Sequence, residues 1–204
     1  MGGKQHWEKV YDEKCVDEVS WYQAYPRVSL ELIREAGLGP EAAILDVGGG
    51  ASVLVDHLLD AGFQRPAVLD ISGNALRAAR ERLGDRASGV DWYEADVTGF
   101  RAVRPFDLWH DRAVFHFLTE AEDRQFYLDA LLETVRPDGH VIIATFSPEG
   151  PTQCSGLDIV QYDEARMRET VGERLRLVSS RDELHQTPAG KEQAFRYFYL
   201  RAEP

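Results

Sequence analysis

"ILDVGGGAS", residues Ile44 to Ser52, is an apolar run that ends in an acid and then breaks on three glycines. The apolar half, extended upstream as "AAILDV", reads as a buried strand. "SVLVDHLLDAG" after the glycines has the spacing of a helix with one apolar face. Gly48 and Gly50 allow backbone amides to approach a ligand closely, and the N-terminus of the following helix adds partial positive charge. A strand, a glycine turn and a helix in that order form the opening unit of an open α/β sheet, whose ligands sit at the carboxyl ends of the strands.

The alternation continues downstream. "PAVLDI" reads as a strand, "SGNALRAARERLG" as a helix capped by Ser72, and "GVDWYEAD" and "FDLWHD" as strands three and four. "EAEDRQFYLDALLETVRP" is a long amphipathic helix and "DGHVIIATF" a β-branched fifth strand. This order implies parallel strands with helices on both faces, joined by right-handed crossovers. "RLRLVSSRDEL" and "EQAFRYFYLRA", separated by the Pro- and Gly-containing "HQTPAGK", read as an antiparallel hairpin at one sheet edge. The expected fold class is therefore α/β: a Rossmann-like, doubly wound, seven-stranded and mostly parallel sheet. Two helices precede it. Trp7, Val10 or Tyr11, Cys15, Val19 and Tyr22 recur at helical spacing, and Val28, Leu32 and Ile33 mark a second helix that stops at "GLGP".

With 204 residues, 44% of them hydrophobic, the chain suffices for one domain with one core. We divide it into an N-terminal helical lid over 1–38, a core over 42–146, and a substrate-side loop, helix and hairpin over 147–204. The net charge of −12 makes a phosphate-tracking groove, and so a nucleic-acid partner, a poor expectation. Cys15 and Cys154 have neither metal spacing nor a disulfide frame, so no metal is expected and a reducing compartment is. "MGGKQHWEKVYDEK" lacks the apolar stretch of a signal peptide, and no run reaches membrane-spanning length. His6 stands where a myristoylation signal wants Ser or Thr. The expectation is a cytoplasmic protein without a membrane partner, and no obligate protein partner is implied.

The glycine turn is read against three cofactor classes. Counting a dinucleotide fingerprint from Gly48 places Val53 at its third small position, which opposes close helix-to-strand packing. No GKS or GKT follows, so a P-loop is excluded. Asp46, two residues before the first glycine, would repel a pyrophosphate but suits an ammonium group such as that of S-adenosylmethionine. Asp70 ends the second strand, where a carboxylate accepts from ribose hydroxyls, and Ile71 follows it in the same turn.

Over most of its length the chain resembles the class I S-adenosylmethionine-dependent methyltransferases. The pieces that carry the resemblance are "LDVGGGAS", "VLDIS", "YEADVT", "FDLWHDRAVFHFL" and "VRPDGHVIIATF", in that order. It implies that Asp96 accepts from the adenine amino group and that the Val97 amide faces the ring. Ser52 stands where many members carry a third glycine; its hydroxyl can bond the methionine carboxylate. "WHDRAVFHFLTEAEDRQFYLDALL" and the N-terminal "HWEKVYDEKCVDEVSWYQAYP" are similar to the thiopurine methyltransferase group, although His110 is inserted between Trp109 and Asp111. The N-terminal pattern is also similar to a group of protein-lysine methyltransferases.

Methyl transfer to an activated sulfonium needs chiefly positioning, plus a base where the acceptor is weakly acidic. Asp111, Arg112 and His116, after the fourth strand, are the catalytic candidates, with Asp111 also beside the cofactor. Trp21, Tyr22 and Gln23 from the N-terminal segment, with His116 and with Cys154 of the "SPEGPTQCSGLDIVQYD" loop, are the substrate-binding candidates. The expected function is methyl transfer to a small molecule, a thiol or other chalcogen first. Protein-lysine methylation and a non-catalytic cofactor-binding module are the alternatives.

Overall fold

The computed structural model describes residues 3–13 and 15–203. Two helices, α1 (Lys4–Glu13) and α2 (Arg27–Glu35), lead into β1 (Ala43–Val47), α3 (Leu54–Asp60), β2 (Arg65–Asp70), α4 (Gly73–Leu83) and β3 (Asp91–Glu94). Then come β4 (Phe106–Arg112), α5 (Ala121–Thr134) and β5 (Val135–Phe146). A short hairpin, β6 (Gln153–Cys154) and β7 (Leu157–Asp158), is followed by α6 (Glu164–Val171), β8 (Leu175–Gln186) and β9 (Glu192–Ala202).

The main sheet has seven strands in the order β3-β2-β1-β4-β5-β9-β8. The first five are parallel, and β9 runs antiparallel to both β5 and β8. Strand order reverses between β1 and β4, so the crevice for a ligand opens at their carboxyl ends. The register there sets Asp46 beside His110 and Val47 beside Asp111. β1 is buried along its whole length, as a strand covered on both faces must be, which explains its unbroken apolar sequence. One face packs Trp109, Phe115, Tyr127 and Met167 into a core. The other packs Val28, Leu32 and Ile33 of α2 with Leu54, Leu58, Phe146 and Phe195.

The main expectations for the sheet are met, down to Ser72, whose hydroxyl accepts from the Ala75 amide as the N-cap of α4. Three details differ. The first helix ends at Glu13, so Cys15, Val19 and Tyr22 lie in the irregular segment between α1 and α2. Val19 is nonetheless buried: its helical spacing arose by coincidence from a segment that folds back over the sheet edge. β5 begins at Val135 rather than at Asp138, with a register irregularity opposite Phe106 and Leu108 that absorbs the extra residues. Finally, the loop after β5 contains the β6–β7 hairpin, closed by Ser155 and Gly156 at φ 51° and 76°, where glycine is favoured at the second position.

Candidate cofactor and acceptor site

The glycine turn is held against the two strands that flank it. Gly48 sits at φ +67° and its amide donates to the Leu69 carbonyl at 2.7 Å, which pins the end of β1 to β2. Only glycine suits it, since a side chain there would also overlap Val114. The Gly50 amide donates to Asp70 Oδ2 at 3.0 Å, and the Ser72 amide donates to Asp70 Oδ1 at 2.8 Å. A Cβ on Gly50 would stand 2.6 Å from that Oδ2, so the turn can close on the carboxylate only with glycine. Burial pushes the Asp70 carboxyl up to about 6, and the two amides limit the rise.

Asp46, 2% exposed, lies at the foot of the turn. His110 Nδ1 is 2.7 Å from its Oδ1, and Ser29 Oγ of α2 is 2.8 Å from His110 Nε2. Asp46 Oδ2 is buried and has no hydrogen-bond partner among the described residues. An unpaired carboxylate oxygen in such a place calls for a donor from a ligand.

Two cavities meet at this turn. The first, about 650 Å³, is lined by Gly48, Asp70, Ile71 and Val97 on the sheet side and by Trp7, Tyr11, Trp21, Phe117 and Cys154 opposite. The second, about 530 Å³, is lined by Asp46, Gly48, Ser52 and His110 with Ser29, Trp21, Tyr22 and Gln23. Arg112 lines both. Its Nε donates to the Tyr197 hydroxyl at 2.9 Å and its Nη1 to the Trp21 carbonyl at 2.8 Å. The guanidinium also lies 4.2 Å above the Phe195 ring, so Arg112 ties the end of β4 to the N-terminal segment. Its Nη2 lies 3.5 Å from Glu183 and makes no hydrogen bond.

The N-terminal segment closes the first cavity from above. Glu8 of α1 accepts from the Gly73 amide at 2.8 Å, the Asn74 amide at 3.2 Å and the Ser72 hydroxyl at 3.1 Å, and so caps the N-terminus of α4. Asn74 Nδ2 donates to Asp12 at 2.7 Å, and Lys4 pairs with Glu94. Trp7 meets the edges of Trp21 and Phe117 at ring separations of 5.9 and 5.1 Å.

Not every sequence candidate reaches a cavity. Asp111 is fully buried with its carboxylate turned away, accepting from the Val114 and Phe115 amides at 2.9 and 3.1 Å and from the Tyr127 hydroxyl at 2.6 Å. It shapes the turn after β4 instead of facing a ligand. His116 is also fully buried and lines neither cavity; its ring packs on Phe117 and Phe146, and neither nitrogen has a partner. Burial, reinforced by Arg112, pushes it down to about 3, which leaves a neutral ring unfit to take a proton near neutrality. Asp96 is exposed and accepts from the Thr98 amide and hydroxyl at 2.9 and 2.8 Å; its neighbours Ala95 and Val97 line the first cavity. Gln23 reaches the second cavity while donating to Glu183 at 3.0 Å. Ser52 Oγ accepts from the Leu54 amide at 3.0 Å, which leaves its proton free to donate.

Sequence reasoning passed over His110, Ser29 and Glu8. The first had a usable signal, since parallel strands with a shared burial pattern make Asp46 and His110 cross-strand neighbours. The other two had none, because a serine on a helix and an acid on a distant one acquire their partners only by tertiary packing.

The geometry fits S-adenosylmethionine: an acid engaged by the turn where the ribose belongs, an unpaired carboxylate oxygen for an ammonium group, and an apolar wall for the adenine. Residues 45–141 match the methyltransferase domain family. The chain is 29% identical over 100 residues to the mouse (Mus musculus) eEF1A lysine and N-terminal methyltransferase, covering 48% of this chain and 14% of that protein. It is 29% identical over 150 residues to trans-aconitate 2-methyltransferase of Azoarcus sp. (strain BH72), covering 72% and 51%. The chain thus spans 14% and 51% of the length of these two curated relatives. Its fold superposes at a TM-score of 0.76 and 20% identity on the Burkholderia thailandensis 1,6-didemethyltoxoflavin-N1-methyltransferase with bound 1,6-didemethyltoxoflavin and S-adenosylhomocysteine, covering 98% of this chain and 87% of that one. These relatives do not support the closer likeness to the thiopurine group. A doubly wound sheet, a glycine turn closed on Asp70 and the methyltransferase-domain match over residues 45–141 together give the chain the class I S-adenosylmethionine-dependent methyltransferase fold.

Proposed function

We propose that this protein transfers a methyl group from S-adenosylmethionine to a small molecule, with a thiol or another chalcogen as first-choice acceptor. The observation that carries this is the makeup of the first cavity. Its far wall is aromatic, closed by Trp7, Trp21 and Phe117, and it is lined by no histidine. When bound, S-adenosylmethionine supplies an electrophilic methyl group on a sulfonium. The Asp70 carboxylate and the Gly48–Gly50 turn hold the nucleoside, while the lid aromatics exclude water and orient the acceptor.

The walls offer little general-base help. Burial pushes the Cys154 thiol up to about 12 and raises the Tyr11 hydroxyl far above its ordinary value. Asp70 is engaged by two amides, and Arg112 cannot accept a proton. An acceptor that ionises by itself near neutrality suits such a pocket, and a thiol does so. Such an acceptor would lose its proton to solvent, and bound S-adenosylmethionine would supply the electrophilic carbon for its lone pair, with the sulfonium sulfur as leaving group.

The name of the eEF1A-modifying relatives supports a second reading, a protein lysine as acceptor, for which a base would have to strip the ammonium proton. Incubation with methyl-labelled cofactor and, separately, a panel of small thiols and a cell lysate tests both. Label in an extractable small molecule supports the proposal, and label retained on protein favours the second reading. Cofactor binding with no transfer in either mixture indicates a binding module without turnover.

A further inference from the structure

The second cavity holds two buried groups without hydrogen-bond partners, and they are of opposite charge: Asp46 Oδ2 and Arg112 Nη2. An acceptor and a donor left open on one cavity match the two ends of an α-amino acid. Arg112 has other partners at Nε and Nη1 and a 3.5 Å approach to Glu183, so only one of its nitrogens remains for a carboxylate. Asp46 likewise keeps one oxygen, because the other is taken by His110, which in turn is held by Ser29.

The arrangement is unusual for a strand interior. His110 lies within β4, 2% exposed and opposite Asp46, at a buried position where a polar side chain is costly unless it is paired. A carboxylate only accepts, so Nδ1 carries the proton directed at Asp46, and in the neutral ring Nε2 accepts from the Ser29 hydroxyl. Ser29 is fully buried, so this hydroxyl has no water to compete for it. With both ring nitrogens engaged, the imidazole cannot rotate, and neither can the carboxylate it grips. Oδ2 is thereby fixed against Gly49, where any side chain would overlap it.

We propose that His110 and Ser29 are positioning residues: they hold Asp46 with one oxygen open toward the ammonium group that the cofactor reading assigns to it. The proposal rests on the cofactor reading above. It concerns selectivity for the amino group, not nucleoside binding, which belongs to Asp70 and the first cavity.

Calorimetric binding of S-adenosylhomocysteine and of its analogue lacking the α-amino group separates the two. In the unaltered protein the parent should bind at least tenfold more tightly than the des-amino analogue. His110→Leu should remove most of that gap by weakening the parent, while the analogue's affinity changes less than twofold. His110→Asn, which retains a donor near the Nδ1 position, should restore part of the gap. Ser29→Ala frees the ring without uncovering the carboxylate and should narrow the gap about threefold; it decides the matter if His110→Leu fails to fold. Equal weakening of both ligands, or an unchanged gap in Ser29→Ala and His110→Asn alongside an unaffected parent affinity in His110→Leu, would overturn the positioning role while leaving the cofactor assignment intact. If the unaltered protein binds neither ligand, the cofactor reading itself fails, and this proposal with it.

Discussion

Asp70 faces two demands that pull its ionisation in opposite directions. Burial drives its carboxyl up to about 6, whereas the proposed role, accepting from two ribose hydroxyls, requires the charged form. Affinity for S-adenosylhomocysteine should therefore hold steady above pH 6 and fall below it, approaching tenfold per pH unit, with proton release on binding; calorimetry in buffers of different ionisation enthalpy measures both. Asp70→Ala should cost about 1.5–3 kcal/mol of binding through loss of a charged acceptor, with little change in the fold. For folding itself the sign is different. Asp70 and Asp111 both sit near 6 in the folded protein against an ordinary value of 3.8. Their contribution to stability is therefore fully present below 3.8 and lost as pH rises through 6. His116 works the other way: lowered from 6.5 to about 3, it stabilises the fold above 6.5 and loses that contribution as pH falls. His116→Leu removes two buried nitrogens without partners, so the variant should be at least as stable at pH 7. Below pH 6.5 it should gain on the parent by up to about 1.4 kcal/mol per pH unit, as denaturant titrations at pH 7 and 5 would show.

Among the α-helices, α1 stands apart because none of its residues is buried. Ten residues make a marginal helix in water, so its docking depends on Glu8, Asp12 and Lys4 at the α4 end and on the Trp7 contacts. Burial raises the Glu8 carboxyl, but the Gly73 and Asn74 amides, Ser72 and Lys4 outweigh it and leave the group below its ordinary value, so the cap stays charged. An element held this way should open at low cost, as the proposed lid role requires. Amide exchange over residues 4–13 should be fast in the free protein and slow markedly with S-adenosylhomocysteine. Glu8→Ala should accelerate exchange there and hardly move the melting temperature. Trp21 is more deeply tied, through its carbonyl to Arg112 and its ring to Trp7 and Tyr11. Trp21→Ala should lower turnover more than stability; slow exchange without ligand, joined to a large drop in melting temperature, would make the segment a fixed cover instead.

At the scale of the whole molecule, a net charge of −12 surrounds the proposed site at Asp46 and Asp70, which favours cationic groups over polyanions there. S-adenosylhomocysteine at 100 times its Kd should add about 2.7 kcal/mol to folding, on the order of 5–10 °C in Tm for a chain of this size. NAD and ATP at the same concentration should add much less, because their phosphates would approach Asp46. A larger shift with NAD than with S-adenosylhomocysteine in a thermal melt would contradict the electrostatic argument.

The order of strands and helices was legible in the sequence because periodicity and turn chemistry are local: the apolar "AAILDV", the capping Ser72 and the "HQTPAGK" break each state their own conformation. The placement of Asp46, Asp70 and the glycines beside the crevice was legible for the same reason, since the pattern sets each at or next to a strand end. The directions of side chains past β4 were not. Asp111 turns inward because two amides and Tyr127 outbid a ligand for its oxygens, and His116 is swallowed by aromatics that arrive from β5 and beyond. The partners of His110, the cap that Glu8 places on α4 and the attachment of Trp21 to Arg112 each join residues more than 60 positions apart in the chain. Pattern in a sequence reports what a residue's neighbours in the chain demand; which buried polar groups satisfy one another is decided only when tertiary packing has removed the water that would otherwise serve them.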